Sequence, residues 1–77
     1  MKLRWTFDPR ITMLGGWVPR YVADRPLGEA RIAFNQNTQR WDVYAWRYGQ
    51  ASSISDGHRS LNAAKRSALV AVRRGEL

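Results

Sequence analysis

The residues of this chain that could do chemistry are mainly arginines. Eleven of its 13 basic residues are arginine, and with six acidic residues they give a net charge of +7. A guanidinium group binds phosphate, guanine and carboxylate more specifically than an ammonium group does. The composition therefore favours a negatively charged partner, either nucleic acid or an acidic protein surface. Codon bias in a GC-rich genome would enrich arginine as well.

The sequence contains few residues of the types that catalysis and metal binding require. The 77-residue chain has no cysteine and a single histidine, which excludes disulfides, thiolate metal sites and multi-histidine sites. His58 follows Asp56-Gly57 and has serines nearby, but no nucleophile elbow or oxyanion loop accompanies it, so we interpret it as a turn residue. We expect no enzymatic activity, no metal and no cofactor.

The first candidate site is a set of basic residues on or beside a C-terminal helix. Arg66 and Arg73 should project together, away from the apolar stripe of that helix, and could contact phosphates. Each of them, taken alone, also fits an ordinary solvated helix face. Two sheet arginines, Arg31 and Arg47, could touch bases. The whole predicted anion-binding set is Arg31, Arg47, Arg59, Lys65, Arg66, Arg73 and Arg74.

The second candidate site is an aromatic face on the strand predicted at 41–48. Its alternation places Tyr44, Trp46 and Tyr48 on one face, opposite Trp41 and Val43. If that face is bare, it could stack on bases, anchor a protein partner or form a homodimer. We favour the alternative that N-terminal aromatics cover it as a second core layer, because large apolar patches rarely stay bare. Those aromatics are Trp5, Phe7, Trp17 and Tyr21.

A small antiparallel sheet must position these residues. Residues 28–58 alternate between apolar and polar side chains and contain turn clusters, which predicts a meander of three strands. A helix over 60–74 follows, with Ser60 as its N-cap and Gly75 after its end. Its stripe is mostly alanine, so we expect it to lie close against one face of the sheet. The fold class is α+β, with three to five short strands and one C-terminal helix in a single domain over 1–77.

The first 27 residues are predicted to hold a strand and irregular chain. Residues 2–7 alternate with Leu3, Trp5 and Phe7 on one side, and Asp8-Pro9 ends that strand. A break follows at 10–16, which closes with two glycines. Residues 17–23 look extended, but Pro19 lacks an N–H for a sheet ladder, which indicates an edge strand or irregular structure.

The order of hairpin, third strand, turn and helix resembles a known DNA-binding unit. Residues 28–32, 40–46 and 60–65 resemble the N-terminal arm-binding domain of phage and transposon tyrosine integrases and the DNA-binding domain of plant ethylene-response factors. The resemblance covers about residues 28–74. It implies a three-stranded sheet backed by one helix, the open sheet face entering the major groove, and a regulatory or accessory role in a phage or mobile element.

The charge distribution favours a different DNA-contacting surface from the one that the resemblance implies. Net charge is +3 over residues 1–28, zero over 29–58 and +4 over 59–77. Phosphate neutralisation supplies most of the affinity for DNA, so the helix and the N-terminal segment should share the contact.

We therefore expect a small basic nucleic-acid-binding protein, with duplex DNA as the favoured partner and RNA a weaker possibility. The alternative is an interaction module that binds and modulates an acidic protein, such as a host protein, through the aromatic face and the arginines. No apolar run approaches the ~20 residues of a membrane helix and no signal peptide is evident, so we expect a cytoplasmic protein.

Overall fold

Five antiparallel strands and one helix form the main body of the protein in a computed structural model. The structure describes residues 3–8 and 20–77, together with the backbone of 12–13 and 16–17. The strands are β1 (Thr6–Phe7), β2 (Thr12–Met13), β3 (Gly16–Trp17), β4 (Arg20–Arg25), β5 (Gly28–Asn35), β6 (Arg40–Arg47) and β7 (Gln50–His58), and the helix α1 is Leu61–Arg73.

The sheet is a meander with a short added strand at one edge. Its order is β1-β4-β5-β6-β7, and β2 and β3 form a separate two-stranded pair. All pairs are antiparallel, and the last pair has register shifts near Val43. The predicted α+β architecture with a helix on one face is confirmed. The meander is longer than predicted, because β4 joins it and β7 continues through the expected turn at 56–58.

The prediction of an edge strand or irregular chain at 17–23 is wrong for Tyr21 and Val22, which have strand partners on both sides, whereas Ala23 has one on β5 alone. Strand β4 lies between β1 and β5; it pairs with β5 along its whole length and with β1 at two residues. Pro19 precedes its first residue, Arg20, so the missing N–H falls outside the ladder of β4. Of the predicted strand at 2–7, the described part (residues 3–7) is paired at Thr6–Phe7 alone. The predicted stop at Pro9 and most of the break at 10–16 lie outside the described residues.

The core lies between one face of the sheet and α1. Ile32 and Val43 are its largest fully buried side chains, and the rest of it is mainly alanine from both layers. Ala64, Ala68 and Ala71 form the buried stripe of the helix, as the sequence predicts. Small residues on both surfaces allow the helix backbone to approach the strands closely. The face of the sheet opposite α1 is called the open face below.

Helix α1 has defined signals at both ends. The Ser60 hydroxyl accepts a hydrogen bond from the Ala63 N–H at 3.1 Å, which satisfies a free donor of the first turn. At the other end Gly75 has a φ of +77°, and the N–H of Glu76 donates to Ala71 O at 2.8 Å. This is a Schellman ending, which favours glycine at the left-handed position. The predicted cap residues are confirmed.

Candidate nucleic-acid interface

The outer side of α1 carries the clearest part of the predicted basic set. Arg66 and Arg73 are both exposed and lie seven residues apart, which is two helical turns or about 10 Å along the axis. They therefore point in nearly the same direction, opposite the buried alanine stripe. Neither guanidinium group forms a hydrogen bond or ion pair with another described residue. The structure thus brings these two predicted residues onto one face.

Three more members of the set flank that face. Arg59 precedes the N-cap and Arg74 is the C-cap residue, and both side chains are exposed. Neither guanidinium group has a hydrogen-bonding or ionic partner within the described part of the chain. Lys65 differs, because its Nζ lies 5.5 Å from the centroid of the Tyr21 ring and the side chain is partly buried. It contributes charge from the flank of the helix.

The two predicted sheet arginines lie apart from each other and from the helix face. Arg31 is on the open face, where its Nε and Nη2 both donate to Glu29 Oε1, at 2.8 and 2.6 Å. Its Cζ also lies 4.4 Å from the centroid of the Trp46 ring. Arg47 is at the end of β6, and its Nη2 donates to the backbone oxygen of Glu76 at 3.2 Å. Both arginines are occupied within the protein.

The aromatic face is neither bare nor covered in the way that we favoured. Tyr44 and Trp46 are half-buried on the open face, as the alternation predicts. Trp5 and Tyr21 instead pack against the core on the helix side, and Phe7 contacts Tyr21 with ring centroids 5.1 Å apart. The prediction that these three residues cover the open face as a second core layer is therefore wrong. The fourth predicted residue, Trp17, has a side chain outside the described part of the structure. The β1 strand runs beside β4 in the same sheet, so its aromatics join the helix-side core.

A buried arginine outside the predicted set, Arg20, lies on this face and contacts one of its two aromatic residues. Arg20 is only 2% exposed, and its Cζ lies 5.6 Å from the centroid of the Tyr44 ring. Its cross-strand partner on β5 is Ala33, whose small side chain leaves room for the guanidinium group to reach β6. Alternation does place Arg20 on the open face, but burial of an arginine there has no signal in the sequence.

Burial also changes the ionisation of this pair. It raises the pKa of the Tyr44 phenol, while the neighbouring Arg20 charge acts in the opposite direction. Burial lowers the pKa of Arg20, and the Nε of that side chain has no hydrogen-bond partner. The open face is thus a packed layer of arginine and aromatic side chains rather than a free phosphate-binding surface.

Tyr48 is separated from Tyr44 and Trp46. It lies in the turn between β6 and β7, 85% exposed and with a φ of +54°. The alternation that groups the three tyrosine and tryptophan residues ends with the strand at Arg47, so the turn changes the direction of the next side chain. The predicted aromatic face therefore consists of two residues, and the third lies at one end of the sheet.

His58 belongs to a small polar cluster on the helix side. The Ser55 hydroxyl hydrogen-bonds to His58 Nε2 at 2.8 Å and to the Ser67 hydroxyl at 2.7 Å. Asp56 is not part of this cluster in the hydrogen bonds of the described residues, and Asp42 Oδ1 instead accepts from the Gly57 N–H at 3.1 Å. The cluster ties β7 to α1. Within residues 3–8 and 20–77, no three acidic or histidine residues are grouped as metal ligands would be.

A groove of about 440 Å³ lies beside β1 at the edge of the open face. Its charged lining is mixed, with three arginines and three carboxylates. These residues are Arg4, Arg25, Arg31, Asp8, Asp24 and Glu29. A groove of mixed charge gives no net attraction for phosphate. Within the predicted set, the arginines without a partner among the described residues lie on or beside α1; Arg4 and Arg40 are further arginines without such a partner, away from the helix.

No family model, no curated protein and no solved structure matches this chain. The resemblance to integrase and ethylene-response-factor domains accordingly stays a prediction. In the described part of the chain no helix is long and apolar enough to cross a membrane.

Proposed function

We propose that this chain is a non-enzymatic nucleic-acid-binding protein and that duplex DNA is its main partner. One observation carries the proposal. Four guanidinium groups on or beside α1 are exposed to solvent and make no hydrogen bond or ion pair with any described residue. They belong to Arg59, Arg66, Arg73 and Arg74. Unpaired arginines concentrated on one side of a protein are a typical footprint of a phosphate-binding surface.

The energetic basis of the proposal is counterion release. Each arginine that neutralises a phosphate frees condensed cations from the DNA, and this term dominates non-specific affinity. Arg66 and Arg73, two helical turns apart on the same exposed face, also repel each other weakly when no anion lies between them. A polyanion removes that repulsion and uses the same charges for binding.

The placement of the contact differs from what the resemblance implies. Arg31 and Arg20 on the open face are already engaged with Glu29, Trp46 and Tyr44. Breaking those contacts would reduce any gain from binding phosphate. We therefore propose that the helix side, rather than the open sheet face, meets the phosphate backbone. A regulatory or accessory role, and an origin in a phage or mobile element, rest on the resemblance and on the small size of the chain.

A gel shift across a salt series tests the proposal, with duplex DNA, single-stranded DNA and RNA of matched sequence. We expect duplex DNA to bind most tightly, with the logarithm of the binding constant falling linearly with the logarithm of salt concentration. Absence of duplex binding at low salt would overturn the proposal. Tighter binding of either single-stranded ligand would keep nucleic-acid binding but replace the partner.

The competing function is modulation of an acidic protein, and it uses the same charges differently. In that case Tyr44 and Trp46 would anchor the interface as buried aromatic residues do in protein complexes. Arg31 already stacks on Trp46, which leaves less bare ring for a partner. Replacing Trp46 by alanine would abolish a protein complex while leaving the salt-dependent shift of DNA in place.

A further inference from the structure

Tyr48 occupies a backbone position that its side chain does not favour. Tyr48 and Gly49 have φ values of +54° and +74°, and they connect two paired strands as the central residues of a two-residue hairpin loop. Such a loop, with positive φ at both positions, is a type I′ turn, for which Asn-Gly is the preferred pair. A tyrosine there is strained, and an 85% exposed ring recovers almost nothing by packing. Neither stability nor turn formation explains this residue.

A second exposed apolar residue lies on the neighbouring turn at the same end of the sheet. Leu27 is 59% exposed and lies between β4 and β5, where Arg25 pairs with Gly28. Because β4 and β6 run in the same direction, both turns close the same end of the meander. Two strand spacings separate them, or roughly 10 Å. We call this end, defined by residues 26–27 and 48–49, the turn end.

The C-terminus of α1 brings positive charge to the turn end. Arg47 and Arg25 donate to the backbone oxygens of Glu76 and Leu77, and this fixes the residues after the helix beside the two turns. Arg73 and Arg74 lie just before Gly75 and these two residues, and both side chains are exposed. The carboxylates of Asp24, Glu29 and Glu76 also lie at this end, and Glu29 is paired with Arg31. Two exposed carboxylates therefore face the two exposed guanidinium groups of Arg73 and Arg74 and the half-buried ones of Arg25 and Arg47.

We infer that the turn end enters the major groove of duplex DNA, with Tyr48 and Leu27 against base edges and Arg73 and Arg74 on the flanking phosphates. This inference rests on the proposed function and identifies the part of the protein that contacts the bases. The major groove admits a two-stranded β-ribbon, and base edges there include the apolar thymine methyl group. A separation of roughly 10 Å between the turns corresponds to about three base pairs along the groove. Protruding turns suit a groove in a duplex better than a single strand, which is usually held in a concave channel.

The test uses Tyr48→Asn, which separates binding from folding. Asparagine suits the first position of a type I′ turn, so the variant should melt at the same temperature as the wild type or higher. The matched control is Gln39→Asn, which relieves the backbone strain of a left-handed residue (φ +58°) at the opposite end of the sheet. Leu27→Asn is the second binding variant. Fluorescence anisotropy with a labelled duplex and the same sequence as a single strand, in a salt series, gives the affinities and the salt slopes.

We expect Tyr48→Asn and Leu27→Asn each to weaken duplex binding about tenfold with an unchanged salt slope, because they remove base contacts and no phosphate contact. Gln39→Asn should bind as the wild type does. Wild-type affinity in both turn variants would overturn the inference and leave the proposed function intact. A variant effect confined to the single strand would also overturn it. Absence of duplex binding by the wild type would instead remove the proposed function itself.

Discussion

Arg31 on strand β5 stacks on Trp46 of strand β6, with its guanidinium carbon 4.4 Å from the centroid of the ring. The same guanidinium group binds Glu29, so its charge is balanced within the open face. Arg20 on β4 contacts the Tyr44 ring of β6 in a similar way. These two arginine–aromatic pairs explain how a sheet face without a helix can hold large rings and still present little bare apolar surface.

The Arg31 contact makes a prediction about stability. Replacing Arg31 by alanine should lower the free energy of unfolding by about 1 to 2 kcal/mol, because it removes a cation–π contact and an ion pair in a side chain that is only 14% exposed. Urea unfolding measures this decrease. Arg40→Ala removes the same charge from the end of β6 and should stay within about 0.5 kcal/mol of the wild type. Equal decreases in the two variants would contradict the special role of Arg31.

A second prediction concerns the steric requirement for glycine at position 28. Its φ is +154°, and a β-carbon there would collide with the backbone oxygen of Trp46. Gly28→Ala should therefore destabilise the protein by roughly 3 kcal/mol. Gly57 also has a positive φ, of +74°, but open space surrounds its missing side chain. Gly57→Ala should cost about 1 kcal/mol, the strain of the left-handed conformation alone. Thermal and urea unfolding of the pair would show whether this difference exists.

Tyr44 makes a prediction about alkaline pH. Its pKa is raised in the folded protein by burial, so between the unfolded value near 10 and the folded value the native state binds more protons. The contribution of Tyr44 to the free energy of unfolding should then be constant below about pH 10 and fall as the pH rises above it. Tyr44→Phe should flatten part of this decline. Urea unfolding of both proteins at several alkaline pH values measures the decline. If the free energy of unfolding of Tyr44→Phe falls as steeply as that of the wild type, other groups cause the effect.

Local patterns predict most of this fold. Alternation in residues 28–58 places Ile32 and Val43 in the core and Tyr44 and Trp46 on the other face, and Ser60 and Gly75 mark the helix ends. These features are determined by residues close together in the sequence, so local sequence patterns are enough to predict them. The position of β4 depends on pairing with both β1 and β5. A proline next to its start gave a misleading local signal about that non-local arrangement.

The candidate site is less predictable, because it depends on which charges are already used. Arg31 and Arg66 have the same side chain, yet one is bound by Glu29 and Trp46 and the other is exposed without a described partner. Helix periodicity does predict that Arg66 and Arg73 share a face. Nothing local predicts that Arg20 becomes buried or that Tyr48 leaves the strand face for a strained turn.

Salt dependence of duplex binding by Arg66→Ala/Arg73→Ala tests the central claim most directly. The matched control is Arg4→Ala/Arg40→Ala, which removes the same charge from described positions outside the helix face. We predict that the helix variant binds duplex DNA more weakly and that its logarithmic salt slope is smaller by about two, because two phosphates are no longer neutralised. The control should keep the wild-type slope. A helix variant with the wild-type slope, or a control whose slope falls equally, would contradict the claim that the helix side holds the phosphates.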